Sequence, residues 1–351
     1  MPLTGVDVAL GAAVAQARAS LAEADGVRCV YLTGSFAAGL GNLASDVDLV
    51  AVTDGESTDA QWRETGSLIS HLEVFPLTTV RTWLAALNEL PYGIADYDRA
   101  VELGGLLENL SRVTFAQPVL GEPVLRDLQA EIDRTALRQA FMLYDGADAI
   151  THARDAYGAL ESGDLLTALD ASQQTLRLCL LATLAAADDL YYGRKWLLRR
   201  LRECPAVSPE LFAAAMAALF PASPLEFDDL GYVTDVVMTR MRLAAGLSAL
   251  ISLYGWAEPV KTVGPPPSGA TDPRSPWYVF TRFRDTCFAG GASGLQLTRL
   301  DIAAWLSVAD DRDTDRLAER LSERFGIPVS ASYAAATLAK LTKAGMISDE
   351  R

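Results

Sequence analysis

The sequence predicts an α/β unit followed by an antiparallel helical bundle and a small α+β module. Residues 1–123 alternate apolar, β-branched stretches with amphipathic helical ones, which is typical of a compact α/β domain. Residues 124–257 are helical almost throughout, and short breaks separate long amphipathic stretches, as in a bundle. Residues 258–276 are rich in Pro, Gly, Ser and Thr, which indicates a linker, and residues 277–351 combine short strands with three helices.

Apolar periodicity and glycine or proline breaks predict the elements of the N-terminal unit. Its predicted helices are 7–24, 36–40, 59–69 and 79–87, and its predicted strands are 27–33, 47–52, 71–76 and 112–116. In the bundle the predicted helices are 124–161, 164–188, 194–204, 208–219 and 228–255. In the last module we predict strands at 277–283, 287–297 and 345–347, and helices at 298–308, 314–325 and 330–344.

Composition excludes several classes of partner and site. The net charge of −15 argues against broad electrostatic binding to nucleic acid or to an anionic membrane. Four widely separated cysteines and two histidines disfavour a zinc site or a disulfide framework. The first residues do not have the pattern of a secretory signal, and we therefore expect a reduced, cytoplasmic protein.

The stretch 31–50 carries the strongest chemical signal in the chain. Gly34 and Ser35 follow an apolar strand, where backbone amides and a hydroxyl can face a phosphate. Asp46 and Asp48 are two residues apart, so on a strand both carboxylates face the same side. Paired hard oxygen ligands suit Mg²⁺, which binds carboxylates together with substrate phosphates. The alternative is an ordinary solvent-exposed strand face.

The complete order of these residues resembles the DNA polymerase β-like nucleotidyltransferase superfamily. Its pattern is Gly-Ser, a short helix, Asp-x-Asp and a third carboxylate on a neighbouring strand, matched here by Gly34-Ser35, Asp46, Asp48 and Glu73. The resemblance implies that the three carboxylates bind two Mg²⁺ ions and that Ser35 contacts the phosphates of ATP or another nucleoside triphosphate. Glu73 would either complete the metal site or take the proton of an acceptor hydroxyl.

Two further features have open alternatives. Ser45 either caps a turn or contacts a metal-bound water. The stretch 191–200 has four basic residues in an acidic chain and resembles a lysine-containing helix of small-molecule, aminoglycoside-type nucleotidyltransferases. By that resemblance Lys195 closes over the triphosphate with help from Arg199. The adjacent Asp188 and Asp189 are candidates for binding an amino- or hydroxyl-bearing acceptor. The alternative for this stretch is a solvated helix face.

The last 75 residues are similar to winged-helix modules and, more loosely, to peptide-recognition domains of the PqqD type. This similarity depends on apolar spacing and on the closing Leu341-x-x-Ala-Gly-Met-Ile347. Acidic residues at 310–315 disfavour DNA reading, and a structural or dimerisation role is the alternative.

These observations predict an Mg²⁺-dependent enzyme that transfers a nucleoside monophosphate, in the first instance AMP from ATP, to a hydroxyl and releases pyrophosphate. The acceptor would be a small molecule, an antibiotic-like compound or a peptide. Two alternatives stay open, namely transfer to RNA or protein as in toxin–antitoxin systems, and a non-catalytic nucleotide-binding regulator. The sequence leaves a homo-oligomer open.

Overall fold

The computed structural model describes residues 4–55, 61–65, 68–88, 103–221, 229–266, 272–284, 286–308 and 313–348. The chain divides into two compact units. The first unit comprises Met1–Leu90, Gly104–Leu137 and Leu190–Trp196, and the second comprises Pro91–Leu103, Arg138–Asp189 and Leu197–Arg351.

The first unit contains a mixed five-stranded sheet with the order β3-β4-β2-β1-β5. Its strands are β1 (Val27–Thr33), β2 (Val47–Thr53), β3 (Gln61–Thr65), β4 (Leu68–Pro76) and β5 (Gln117–Leu120). The central strand β2 runs antiparallel to β1 and parallel to β4. The pair β1–β5 and the pair β3–β4 are both antiparallel. The start of β2 therefore lies beside the end of β1 and the middle of β4.

Helices cover this sheet. They are α1 (Thr4–Leu21), α2 (Gly34–Ala37), α3 (Leu77–Asn88), α4 (Gly104–Thr114) and α5 (Glu122–Ala130). Ala13 of α1 packs against a cluster that includes Val30, Leu32, Leu49 and Ala51 of the two central strands. Alternating apolar residues on these strands therefore supply the core that fixes the position of β2.

Two predicted elements of this unit are wrong. The stretch 59–69 was expected to be helical, but its described part forms β3 and the beginning of β4, which pair with each other. The stretch 112–116 was expected to be a strand, but α4 continues to Thr114. β-branched Val113 and Thr114 suggested the strand, whereas the pair Glu108 and Arg112, four residues apart, stabilises a helix.

The second unit is mainly helical. Its helices are α6 (Arg134–Ser162), α7 (Leu165–Ala186), α8 (Leu197–Glu203), α9 (Pro209–Leu219) and α10 (Leu230–Tyr254). The first four residues of α6 belong to the first unit, and the helix belongs to the second unit from Arg138 onward. The predicted helix 124–161 is thus interrupted between α5 and α6. Apolar residues of α6 to α10 share one core cluster. Arg138 also ties α6 to the end of α10, because its guanidinium donates to the carbonyl oxygens of Gly255 and Ala257 at 3.2 and 2.9 Å.

The C-terminal part of this unit has a three-stranded antiparallel sheet and three helices. They are β6 (Tyr278–Phe283), β7 (Thr286–Gly291), β8 (Leu295–Leu297), α11 (Arg299–Ser307), α12 (Thr314–Phe325) and α13 (Ala331–Lys343). Residues of all three helices share a core with Ala245, Ala249 and Leu253 of α10. The predicted terminal strand is a single bridge between Ile347 and Arg274.

The stretch 258–276, expected to be a linker, has contacts in its described part. Val263 and Pro266 are buried, and the Val260 amide donates to the Ala186 carbonyl at 2.9 Å. Among the described residues, α10 is the one helix long and apolar enough to cross a membrane, but 72% of its most apolar stretch is buried within the protein.

Candidate functional site

Asp46 and Asp48 lie at the beginning of the central strand β2. Asp48 is half-buried and lies between two neighbouring strands, opposite Thr33 of β1 and His71 of β4. Asp46 precedes the strand by one residue and is exposed. Because opposed residues on paired strands project to the same face, the face that carries Asp48 also carries Thr33 and His71.

Gly34 gives the Asp48 carboxylate its space. Its backbone has φ +67°, and an ideal Cβ at this position would lie 2.0 Å from Asp48 Oδ2. A side chain at position 34 would therefore strain the left-handed backbone and force the Asp48 carboxylate to move. The glycine of the Gly-Ser pair is thus needed for the close approach of β1 and the Asp48 side chain.

Ser35 follows Gly34 in the short helix α2, which turns the chain back toward β2. The Ser35 carbonyl accepts hydrogen bonds from the amides of Leu40 and Gly41, at 2.8 and 2.9 Å. These bonds hold the loop that leads from β1 to Asp46. Ser35 itself is half-buried at the end of β1 that lies beside Asp48.

Ser45 belongs to the turn that precedes the two aspartates. Its buried hydroxyl accepts from the Asn42 amide at 3.0 Å and lies 3.3 Å from Asn42 Oδ1. The Ser45 amide donates to the Asn42 carbonyl at 3.0 Å. These contacts correspond to the turn-capping alternative and fix the direction in which the chain enters β2.

Glu73 lies further along β4 than the level of Asp48. It is paired in register with Val50, whereas Asp48 is paired with His71. The Glu73 carboxylate forms an ion pair with Arg112 of α4, and both side chains are about three-quarters buried, with 22% and 26% exposure. The sequence predicted Glu73 but gave no role to Arg112.

Arg112 is held in place on several sides. Its Nη2 donates to Glu108 Oε1 at 2.8 Å, and its carbonyl oxygen accepts from Thr33 Oγ1 at 3.0 Å. Gln129 Nε2 donates to the carbonyls of Val113 and Ala116 and so satisfies the end of α4. The spacing of Glu108 and Arg112 is the sequence signal that could have identified the helix and its basic residue.

A small cleft of about 120 Å³ opens beside these residues. Its lining includes Gly34, Asp48, Glu108, Arg112, Tyr191 and Tyr192. The Tyr192 amide donates to Ser111 Oγ at 2.8 Å, and the rings of Tyr191 and Phe115 meet edge to face at 6.0 Å. The two tyrosines belong to the basic stretch 191–200, but the sequence did not predict that they line the same cleft as Asp48.

The predicted cations Lys195 and Arg199 belong to different units. Lys195 is in the first unit, in a turn before α8, with its Nζ 5.1 Å from the centre of the Trp196 ring. Arg199 is in the second unit, where its Nε donates to Glu203 Oε1 at 3.0 Å.

The predicted acceptor-binding aspartates also have basic partners. Asp189 accepts from Arg200 through both carboxylate oxygens at 3.1 Å, and Asp188 Oδ1 lies 3.7 Å from Arg138 Nη1. These contacts stabilise the second unit.

The electrostatics at Asp48 favour a cation. Burial raises the pKa of the Asp48 carboxyl above its usual range, and the negative charges of Asp46 and Glu73 act in the same direction. The charges of Arg112 and His71 oppose this shift in pKa. An ion that neutralises crowded carboxylates would relieve this unfavourable charge.

The residues present fit a divalent cation at the aspartate pair. Asp46 and Asp48 offer hard oxygen ligands, and the lack of a Cβ at Gly34 leaves room for the Asp48 carboxylate. Within the described part of the chain, no group of three His, Cys, Asp or Glu residues is placed to hold a metal ion. The pairing of Glu73 with Arg112 agrees with that finding.

Comparison with known proteins assigns part of the chain to a domain family. Residues 14–94 match the family model of the nucleotidyltransferase domain. A similar solved structure is a nucleotidyltransferase-like protein from Exiguobacterium sibiricum 255-15, with 12% identity, a TM-score of 0.35, and coverage of 68% of this chain and 77% of that chain. A TM-score of 0.35 does not establish a common fold, so the assignment to a family depends on the match of residues 14–94. No curated protein sequence matches the chain significantly.

Proposed function

Because residues 14–94 belong to the nucleotidyltransferase domain family of the polymerase β-like superfamily, we propose that the protein is an Mg²⁺-dependent nucleotidyltransferase. It transfers a nucleoside monophosphate, in the first instance AMP from ATP, to a hydroxyl of a small molecule, an antibiotic-like compound or a peptide. The observation that carries this proposal is the half-buried Asp48 beside Asp46, whose carboxylate occupies the space that a Cβ at position 34 would need.

The reaction follows from the chemistry of the triphosphate. The acceptor oxygen forms a bond to the α-phosphorus, the bond from that phosphorus to the bridging oxygen breaks, and pyrophosphate leaves with the bridging oxygen. Asp46 and Asp48 would hold Mg²⁺, and the bound ion would offset the negative charge of the triphosphate. Gly34 and Ser35, at the end of β1, would orient the phosphates through the backbone amide and the hydroxyl.

Further residues and segments have proposed roles in this reaction. Lys195 and Arg199 are proposed to bind the triphosphate. In this proposal the helices α6 to α10 correspond to a bundle domain, and residues 277–351 correspond to a winged-helix-like accessory domain. The β6–β7–β8 sheet and the helices α11 to α13 support the second assignment. The buried free cysteines are compatible with a reducing, cytoplasmic environment.

The test is direct. The purified protein is incubated with Mg²⁺, each of the four common ribonucleoside triphosphates and a panel of aminoglycosides, other hydroxyl compounds and peptides, and the products are examined by mass spectrometry. We expect one acceptor to gain the mass of a nucleoside monophosphate while pyrophosphate is released in equal amount. Asp48→Asn should form no product. Equal product from wild type and Asp48→Asn would contradict the proposal.

A further inference from the structure

Arg112 lies outside the stretch that matches the family model, yet it contacts the third carboxylate of the site. It is in the last turn of α4, where the partial negative charge of the helix end favours a cation. One of its terminal nitrogens pairs with Glu73 and the other with Glu108. The guanidinium thus joins a strand residue and a helix residue next to Asp48.

The pair of Arg112 and Glu73 differs from the surface ion pairs of this protein. Arg126 and Glu122 of α5 also form an ion pair, but their side chains are 74% and 51% exposed, against 26% and 22% for Arg112 and Glu73. The helix that carries Arg112 is also anchored to β1 by the hydrogen bond from Thr33. Glu73 is therefore held in one position by an anchored partner, which an exposed pair does not achieve.

The strand register separates Glu73 from the aspartate pair. Asp48 is level with His71, and Glu73 is two residues further along β4. At a rise of about 3.3 Å per residue, its Cα is displaced by roughly 7 Å along the strand direction. Asp46 precedes Asp48 and is thus displaced in the opposite direction. Along the strand direction, a cation held by both aspartates would therefore lie on the side of Asp48 that is opposite to Glu73.

We propose that Arg112 is a positioning residue that keeps Glu73 out of the metal site and fixes its carboxylate for the role that the family resemblance implies, acceptance of the proton of the incoming hydroxyl. This inference rests on the proposed nucleotidyl transfer. As the acceptor oxygen bonds to the α-phosphorus, its proton passes to a Glu73 carboxylate oxygen, and pyrophosphate leaves. Arg112 occupies the other oxygen and fixes the orientation of the carboxylate.

The cleft beside α4 is the side from which that hydroxyl would approach, because Arg112, which holds Glu73, lines it together with Asp48, although Glu73 itself is not part of the lining. It is bounded by Asp48 and Arg112, and its volume of about 120 Å³ is below the roughly 300–1,000 Å³ of a complete ligand pocket. It therefore admits one hydroxyl-bearing group of an acceptor. The edge-to-face pair of Tyr191 and Phe115 provides an apolar surface for the carbon skeleton of that group.

The experiment separates metal binding from proton transfer. Binding of Mn²⁺ to the free protein is measured by electron paramagnetic resonance, and AMP formation from Mg²⁺ and ATP is measured with water as the acceptor. The variants are Asp48→Asn, Glu73→Gln, Arg112→Met and Arg112→Lys, and Arg126→Met serves as the exposed ion-pair control. Circular dichroism and thermal unfolding establish that each variant is folded.

We expect Glu73→Gln and Arg112→Met to bind Mn²⁺ within about threefold of wild type, because neither residue is a ligand. Their kcat for AMP formation should fall by about 10²-fold or more, with an unchanged KM for ATP. Arg112→Lys should recover part of kcat, since a lysine can retain one contact to Glu73. Arg126→Met should behave as wild type, whereas Asp48→Asn should lose both Mn²⁺ binding and turnover.

Two results would overturn the inference in distinguishable ways. If Glu73→Gln or Arg112→Met weakens Mn²⁺ binding as much as Asp48→Asn does, then Glu73 is a metal ligand and Arg112 does not keep it away from the metal ion. If both variants keep wild-type kcat, Glu73 is not the proton acceptor. A wild-type protein that neither binds Mn²⁺ nor forms AMP would overturn the proposed function, and with it the role of Glu73.

Discussion

The Asp48 carboxylate occupies the space that a side chain at position 34 would need. An ideal Cβ on Gly34 would come within 2.0 Å of Asp48 Oδ2 and 2.9 Å of its Cγ. Since real Cβ atoms do not approach other atoms so closely, either the carboxylate or the backbone would have to move. The Gly-Ser pair therefore controls the position of the residue on which the proposed chemistry depends.

Gly34→Ala should inactivate the protein. The new methyl group would displace the Asp48 carboxylate, and a displacement of about 1 Å in a catalytic group can cost on the order of 10²-fold in rate. The left-handed backbone adds a strain of about 1–2 kcal/mol to the folded state. Nucleotide transfer and the temperature of thermal unfolding are the two quantities to measure.

Gly39→Ala is the matched control for that substitution. Gly39 lies in the same loop with φ +72°, but an added Cβ would meet no heavy atom within 4 Å. It should therefore show the same backbone strain while turnover stays close to wild type. Equal loss of activity in the two variants would mean that backbone strain, and not the contact with Asp48, explains the effect.

Asp48→Asn should stabilise the metal-free protein at neutral pH. Burial raises the pKa of Asp48, with Asp46 and Glu73 contributing, while Arg112 and His71 oppose the shift. A carboxyl whose folded-state pKa is raised favours the folded state below its unfolded pKa of about 3.9, and this contribution is lost as the pH rises through the folded-state pKa. At pH 7 the ionised Asp48 carboxylate therefore lowers the free energy of unfolding, and asparagine removes this effect.

The measurement is thermal unfolding in EDTA from pH 7 down to about pH 4. The advantage of Asp48→Asn over wild type should shrink as the pH falls, because wild-type Asp48 then becomes neutral as well. Asp54→Asn is the control, since Asp54 is at the other end of β2, is 58% exposed, and pairs only loosely with Arg28 at 3.5 Å. A stability difference for Asp48→Asn that is the same at all pH values would contradict the electrostatic explanation.

Thr33→Val should loosen α4 and lower activity. The Thr33 side chain is buried, and its hydroxyl donates to the Arg112 carbonyl at 3.0 Å. Valine has a similar shape but leaves that carbonyl without its donor, at a cost of about 1–3 kcal/mol. Thr33→Ser keeps the hydroxyl and should recover most of the activity. Denaturant unfolding and turnover of the two variants can be compared directly, and identical behaviour would show that the hydrogen bond is not needed.

Arg240→Met should destabilise the second unit. Arg240 of α10 is 3% exposed, and its guanidinium donates to the carbonyls of Ala218 and Leu169 at 3.0 and 2.9 Å. Methionine fills the volume but leaves the buried Ala218 carbonyl without this donor, at a cost of about 1–3 kcal/mol. The Leu169 carbonyl still accepts from Ser172 Oγ at 2.9 Å. Arg242→Met, exposed on the same helix, should lie within about 0.5 kcal/mol of wild type in urea unfolding. Equal midpoints for both variants would contradict a structural role of Arg240.

Elements with strong local signals could be predicted from the sequence. The bounds of β1 agree with the prediction, and β2 is longer by one residue. The helix α12 also has its predicted bounds, because Asp313 caps its first amides and Gly326 ends it in a left-handed conformation. The motif Gly34-Ser35 and Asp46-Val-Asp48 was likewise a local signal, and the structure brings these residues together at the start of β2.

Features that depend on distant partners were missed. The strand β3 is stabilised by pairing with β4, which a helical pattern over 59–69 could not reveal. The association of Glu73 with Arg112 joins residues 39 positions apart. From the sequence, Glu73 was predicted either to complete the metal site or to take the proton of an acceptor hydroxyl. Its contact with Arg112 appears only in the folded chain.

The most direct test of the central claim compares wild type with Asp48→Asn in one assay of nucleotide transfer. ATP labelled in the α-phosphate is incubated with Mg²⁺ and the acceptor found in the mass-spectrometric panel. We predict that wild type transfers the label and releases one pyrophosphate for each label transferred. Asp48→Asn, shown to be folded by thermal unfolding, should transfer none above background. Label transfer by Asp48→Asn at the wild-type rate would contradict the account.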